Sequence, residues 1–161
     1  MLTTLLFTDI VGSTGMAERL GDRSWKQVLA SHNEAVRSLL EMYRGREVDA
    51  TGDGFLATFD APARAIACAL AISTASRDLG VDVRAGVHTG EVEVASGDLR
   101  GVAVHLASRI MDAAGPGEVF VSATSKELAS GAGVEFVERG SRALKGFTEP
   151  RQLYEARRPQ A

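Results

Sequence analysis

Three aspartates stand where a carboxylate can do chemistry. Asp9 closes the apolar stretch "LTTLLFTDI", ahead of Val11, Gly12, Ser13 and Thr14; Asp49 and Asp53 lie four positions apart in "EVDATGDGFLATF", with Gly52 and Gly54 flanking the second. An aspartate at a strand end either caps the N–H groups of a turn or holds a metal above an anion-binding turn. The second reading arises because a glycine-containing strand-to-helix connection aims backbone N–H groups and a helix N-terminus at an anion. Gly12, Ser13 and Thr14 would form that cradle, the last two as helix N-caps. Asp53 has the same two readings, since glycines permit a tight turn and aspartate suits it. Taken as a pair, Asp9 and Asp53 gain a sharper meaning. On neighbouring strands, about 4.8 Å apart, they could bridge two divalent ions spaced at about 4 Å. Oxygen ligands without a Cys or His cluster favour Mg²⁺ or Mn²⁺. That is the geometry of phosphoryl or nucleotidyl transfer.

A second set of residues lies on "GVAVHLASRIMDAAG". On a helical wheel Val102, Ala103, Leu106, Ala107, Ile110 and Ala114 form an apolar face, and His105, Ser108, Arg109 and Asp112 a polar stripe. The stripe is either a solvated face with an Arg109–Asp112 ion pair, or a site in which Arg109 holds charge on a phosphoryl oxygen and His105 orients it. Lys145, in "RALKGF", is either a surface lysine or a contact to a terminal phosphate. His32 sits on an apolar stripe and reads as a satisfied core histidine.

The elements that must position these groups follow from periodicity. Thr3 to Val11 reads as a buried strand running into a helix start, and Asp22 to Tyr43 as a long amphipathic helix. "REVDATGDGFLATF" reads as a hairpin, and "APARAIACALAISTASRDLG" as a helix opened by Pro62 and stopped by Gly80. "VDVRAGVHTGEVEVA" alternates as a strand or strand pair, the Arg109 helix follows, and the remainder supplies a strand, a short helix and two more strands. This order implies an α+β sandwich, one mixed sheet covered by helices, in a single domain over residues 1–161. The 161 residues, 45% of them hydrophobic and 24% charged, have an ordinary globular balance. A formal net charge of −3 gives no basic field for a nucleic-acid polymer or an anionic membrane. No apolar run approaches a membrane span, and no signal peptide is visible. The lone Cys68 reads as a core residue, which fits a reducing, cytoplasmic compartment. The chain starts inside an apparent core strand, as a module attached to a larger, regulated protein would.

Five ordered blocks, "LLFTDIVGST", "TGDGFLATF", "GVHTGEV", "GDLRGVAVHLASRI" and "LKGF", resemble the catalytic domain of class III adenylyl and guanylyl cyclases, most of all a bacterial subgroup, over nearly the whole chain. The resemblance implies a ferredoxin-like mixed, largely antiparallel sheet covered by helices. It makes Asp9 and Asp53 the carboxylates of a two-metal site, the Ile10 carbonyl a further ligand, and Arg109 the residue that stabilises the α-phosphate in the transition state. Lys145 then falls at the terminal phosphates, and Asp98 and Asp49 at the two base-reading positions. The implied reaction is attack of the ribose 3′-OH of ATP on the α-phosphate, releasing pyrophosphate. Because family members take the metal carboxylates from one subunit and the base, arginine and lysine contacts from the other, a chain with both sets implies a homodimer with two shared sites.

Two residues depart from that family pattern. His105 replaces the usual asparagine; imidazole still donates a hydrogen bond, but the rate would respond to pH differently. Asp49 stands where adenylyl cyclases place a lysine that donates to adenine N1. A carboxylate there suits the N1–H and amino group of guanine, whereas Asp98 suits the adenine amino group. ATP with weak selectivity is the expectation; GTP, or a catalytically weak nucleotide-binding and dimerisation module, are the alternatives. A diguanylate cyclase is disfavoured because "TGDGF" replaces the GGDEF-like turn.

Overall fold

The computed structural model describes residues 1–159. β1 (Leu2–Ile10) leads into α1 (Ser13–Leu20) and α2 (Asp22–Met42), then a hairpin of β2 (Arg46–Thr51) and β3 (Gly54–Phe59). α3 (Pro62–Asp78), β4 (Val83–Glu91), β5 (Glu93–Ala95), β6 (Asp98–Arg100) and α4 (Val102–Ala113) follow. β7 (Val119–Ser122), α5 (Ala123–Leu128), β8 (Glu135–Arg142) and β9 (Arg151–Arg157) complete the order. Seven strands form one sheet in the order β2-β3-β1-β4-β7-β9-β8, mixed because only β4 and β7 run parallel. Its β2-β3-β1-β4 part, with helices between β1 and β2 and between β3 and β4, is the ferredoxin-like arrangement expected from the resemblance.

The helix start expected after β1 is α1, and Gly21, at φ 81°, separates it from α2, which begins at Asp22 as expected. The strand or strand pair expected in "VDVRAGVHTGEVEVA" is the long β4 followed by the short β5, which leaves the sheet to pair with β6.

β1 is buried on both faces, which is why it reads as a nearly continuous apolar run. Leu6 and Ile10 pack with Val36, Leu40, Phe55, Ile66 and Ile72 beneath α2 and α3. Leu5 packs on the opposite face with Leu56, Ala103 and Ala107 beneath α4. The apolar face expected of α4 is observed with one correction: Val102 is 67% exposed, while Met111 is buried in its place. Val102 is the first residue of the helix, and its side chain stays largely exposed.

The seat of α4 on β4 depends on Gly86 and Gly90. A Cβ on Gly86 would lie 2.4 Å from the Met111 nitrogen and 2.7 Å from the Ala107 carbonyl oxygen. One on Gly90 would lie 2.8 Å from the Ala103 Cβ. Both are closer than real Cβ contacts allow, so the helix backbone rests directly on the strand. Beside this contact runs a buried polar network. His88 Nδ1 is 2.8 Å from Ser122 Oγ, and Thr89 Oγ1 is 2.9 Å from Thr4 Oγ1 and 2.8 Å from Ser125 Oγ. Burial, reinforced by the positive charge of Arg151, pushes the His88 pKa down to about 4. His32 is also fully buried, with Nδ1 3.3 Å from Ser76 Oγ, and burial lowers its pKa as well. Among the described residues its Nε2 has no partner, so only half of the satisfied histidine expected from the sequence is present. Cys68 is a buried core thiol, as expected, with its pKa pushed up to about 12 by burial.

Gly86→Ala must push α4 off the sheet and should cost about 2 kcal/mol of stability, typical of overpacking; an unchanged urea midpoint would contradict the close seating. The histidines set an acid limit. Because the folded pKa of His88 lies below the unfolded value of 6.5, the unfolded chain binds more protons between these values. The contribution is complete above pH 6.5 and disappears as pH falls to about 4, a loss of about 3 kcal/mol. Urea midpoints measured across this window should fall with pH, and less steeply in His88→Gln.

Candidate active site

The antiparallel registers of β3, β1 and β4 build the site. Thr8 faces Phe55 across β1 and β3, so Asp9 comes level with Gly54, at the end of the tight turn that carries Asp53. A Cβ on Gly54 would lie 3.0 Å from the Thr8 carbonyl oxygen and 3.6 Å from the Asp9 Cβ, so the two carboxylate-bearing segments touch. Asp9 is cross-strand partner to Arg84 on β4. The adjacency of the first strand and the hairpin, a condition in the sequence reading, is therefore met.

Arg84 is a candidate-site residue that the sequence reading did not single out. Its Nε donates to Asp9 Oδ1 at 2.8 Å and its Nη2 to Asp9 Oδ2 at 3.1 Å, a two-pronged charge-assisted pair. Nη1 also donates to the Asp112 carbonyl oxygen at 3.2 Å, and Nη2 lies 3.6 Å from Asp112 Oδ1. Hydrogen bonding to Asp9 raises the Arg84 pKa against the opposing effect of burial, and the charges of Asp9, Asp112 and Asp53 raise it further. Arg84 thus sits in the field of both candidate metal carboxylates. The available signal was a charged residue inside the otherwise buried alternation of "VDVRAGVHTG".

Asp9, Asp49, Thr51, Asp53, Gly54 and Ser108 line one cavity of about 260 Å³ between the hairpin and α4. Val102, His105, Arg109, Lys145, Gly146 and Phe147 line a second, of about 280 Å³, on the outer side of α4. The candidate residues therefore separate into a carboxylate set and a cationic set. An ionic chain joins the two: Asp9 to Arg84, Arg84 to Asp112, and Asp112 Oδ2 to Arg109 Nη1 at 3.1 Å. The ion pair of the solvated-face reading of α4 is present, and it leads into the site.

The remaining candidates lie apart from both cavities. Asp98 opens the exposed β6. Ile10 buries its side chain in the core, leaving only its main chain for chemistry. Gly12 sits at φ 71° and is itself the N-cap of α1, while Ser13 and Thr14 lie inside the first turn. This corrects the expectation that the hydroxyls cap the helix: no side-chain cap bond forms, because the left-handed conformation at Gly12 starts the helix one residue earlier than a serine cap would.

Among the described residues, no group of three or more His, Cys, Asp or Glu is arranged to hold a metal. Two carboxylates are nevertheless a sufficient protein share for Mg²⁺, which usually takes one or two carboxylates and completes its shell with water and substrate phosphates. By residue type the two aspartates fit such an ion, which would compete with Arg84 for Asp9, since both Asp9 oxygens hold that guanidinium.

The adenylate and guanylate cyclase catalytic domain family matches residues 2–155, and the chain belongs to it: the domain has the class III nucleotidyl cyclase fold. It is 32% identical to the putative adenylate cyclase 3 of Rhizobium meliloti over 95% of this chain, and 28% identical to the adenylate cyclase of Lachancea kluyveri over 73%. The chain spans only 28% and 8% of the lengths of those two relatives. Among solved structures it resembles the adenylyl cyclase CyaB from P. aeruginosa, with a TM-score of 0.89, 22% identity, and 99% and 95% of the two chains covered. It also resembles the guanylate cyclase domain of RhGC from Catenaria anguillulae in complex with GTP, with a TM-score of 0.88, 20% identity, and 99% and 97% covered. No helix among the described residues is long and apolar enough to cross a membrane.

Proposed function

We propose that this domain, taken as the whole of residues 1–161, is an adenylyl cyclase that converts ATP to 3′,5′-cyclic AMP and pyrophosphate at the interface of a homodimer. The observation that carries the reading is the shared cavity of Asp9 and Asp53. Two of the curated relatives bear adenylate cyclase names, which supports ATP as the substrate. Their greater length is in keeping with a catalytic domain attached to a regulatory region, and the reaction belongs in the cytoplasm, where its substrate is.

Asp9 and Asp53, with the Ile10 carbonyl, would hold two Mg²⁺ or Mn²⁺. When bound, the ions lower the pKa of the ribose 3′-OH and neutralise phosphate charge. Gly12, Ser13 and Thr14 present the backbone N–H groups of the α1 N-terminus to the triphosphate. Arg109 places its guanidinium against the charge that builds on the α-phosphate, His105 donates a hydrogen bond that orients it, and Lys145 meets the terminal phosphates. The division of these residues between two cavities supports a composite site, in which Arg109, His105 and Lys145 of one chain serve the carboxylates of the other. Positioning and electrostatics then supply most of the catalysis.

A second reading, GTP as substrate, has a specific observation behind it. The chain carries Asp49 where adenylyl cyclases of the resembling family place a lysine, and a carboxylate at the base accepts from the guanine N1–H and amino group. With Mn²⁺, kcat/KM for ATP should exceed that for GTP only modestly, and Asp49→Lys should widen the gap in favour of ATP. A clear GTP preference of the unmodified chain establishes the second reading, and absence of any cyclic product at high enzyme concentration reduces the domain to a nucleotide-binding or dimerisation module.

The dimer has its own test. Asp53→Ala and Arg109→Ala chains should each be inactive, by about three orders of magnitude. Mixed, they should regain up to about a quarter of the activity, through the one intact site of each heterodimer. No recovery on mixing would rule out shared sites.

A further inference from the structure

The chain Asp9–Arg84–Asp112–Arg109 contains two anions and two cations in alternation, all partly exposed and none in the apolar core. Arg84 is held at both ends: by two hydrogen bonds to the Asp9 carboxylate, and by one to the Asp112 carbonyl oxygen, with the Asp112 carboxylate 3.6 Å away. The same Asp112 carboxylate turns its other oxygen to Arg109 at 3.1 Å. Asp112 is therefore one acceptor contested by two guanidiniums, one belonging to the carboxylate cavity and the other to the cationic cavity.

We propose that Asp112 is a positioning residue that receives Arg84 when a divalent cation takes Asp9, and that this transfer loosens its hold on Arg109. The inference rests on the reading of Asp9 as a metal ligand and adds a device to it. A divalent ion at Asp9 repels the adjacent guanidinium and competes for the same two oxygens. Arg84 has a ready alternative in Asp112, whose carboxylate it already approaches without forming a close pair. Once Arg84 closes on Asp112, Arg109 faces a neutralised carboxylate and is free to turn to phosphate. Since the proposed dimer gives Arg109 to the partner's metal carboxylates, cation loading of one site prepares the arginine of the other.

The test reads cation binding without nucleotide, by the electron paramagnetic resonance signal of free Mn²⁺ titrated into the intact protein. Asp9→Asn should abolish the tight site. Arg84→Gln, which removes the competitor, should tighten Mn²⁺ binding about tenfold. Asp112→Asn should weaken it about fivefold in the unmodified chain and have little effect in the Arg84→Gln background, because the displaced arginine no longer needs an acceptor. Arg109→Gln should tighten it two- to threefold only while Asp112 is present, since it frees that acceptor. Asp112→Glu, which retains the charge, should recover most of the affinity lost in Asp112→Asn, and melting curves verify that each variant is folded. Tight binding that survives Asp9→Asn overturns the metal reading and the inference with it. Binding lost in Asp9→Asn, with an Asp112→Asn effect equally large in both backgrounds, leaves the metal reading standing and overturns the transfer, because Asp112 then acts through its charge alone.

Discussion

The direct contact of α4 with β4 is the constraint on which the site depends. Gly86 and Gly90 leave no side chain between helix and strand, so Met111 and Ala107 meet the strand backbone at distances that even a methyl group would spoil. That depth brings Asp112, near the end of α4, within reach of Arg84, two residues before Gly86 on β4. A helix riding one side-chain layer higher would still bury its apolar face, but its polar stripe would be too far from the strand ends to join their chemistry. Packing density and electrostatics are thus the same design at this place.

The antiparallel triplet β3-β1-β4 supplies the other half. Register alone brings Asp9 opposite Arg84 and beside the turn bearing Asp53; Asp9 and Arg84 sit near strand ends and Asp53 in the turn, where side chains escape the core. Their backbones are held by the ladder, so the carboxylates start from fixed positions, which is what a site built on positioning requires. The partial exposure of the ionic chain has a matching consequence. The Arg109–Asp112 pair, the more exposed link, is individually weak, whereas the two-pronged, part-buried Arg84–Asp9 pair is the stronger link.

Much of the fold was legible because strong periodicity needs no tertiary information. β1 reads as a strand from its unbroken apolar run, α2 and α4 from their stripes, and the hairpin from glycines around Asp53. The misreadings share a physical cause. Val102 has the apolar character of its helix face, but whether a first-turn residue is covered depends on a neighbouring layer. Ser13 and Thr14 have the chemistry of caps, but Gly12 adopts the left-handed conformation and begins the helix first. Arg84 carried one local signal, a charge inside a buried strand, but that signal does not say what the charge does; its meaning comes from a partner 75 residues away.

The amino-acid sequence by itself determined the family and the inventory of chemistry: two carboxylates at strand ends, a helix bearing His105 and Arg109, and Lys145 before a glycine. These are matters of residue type and spacing, which local propensity and ordered motifs carry in full. Tertiary structure alone decided the grouping. It placed Asp49 beside the carboxylate cavity and Asp98 outside it, divided the cationic residues from the carboxylates, and joined the two sets through Arg84 and Asp112. Such grouping depends on strand register and helix depth, and both are set by contacts between segments far apart in the chain.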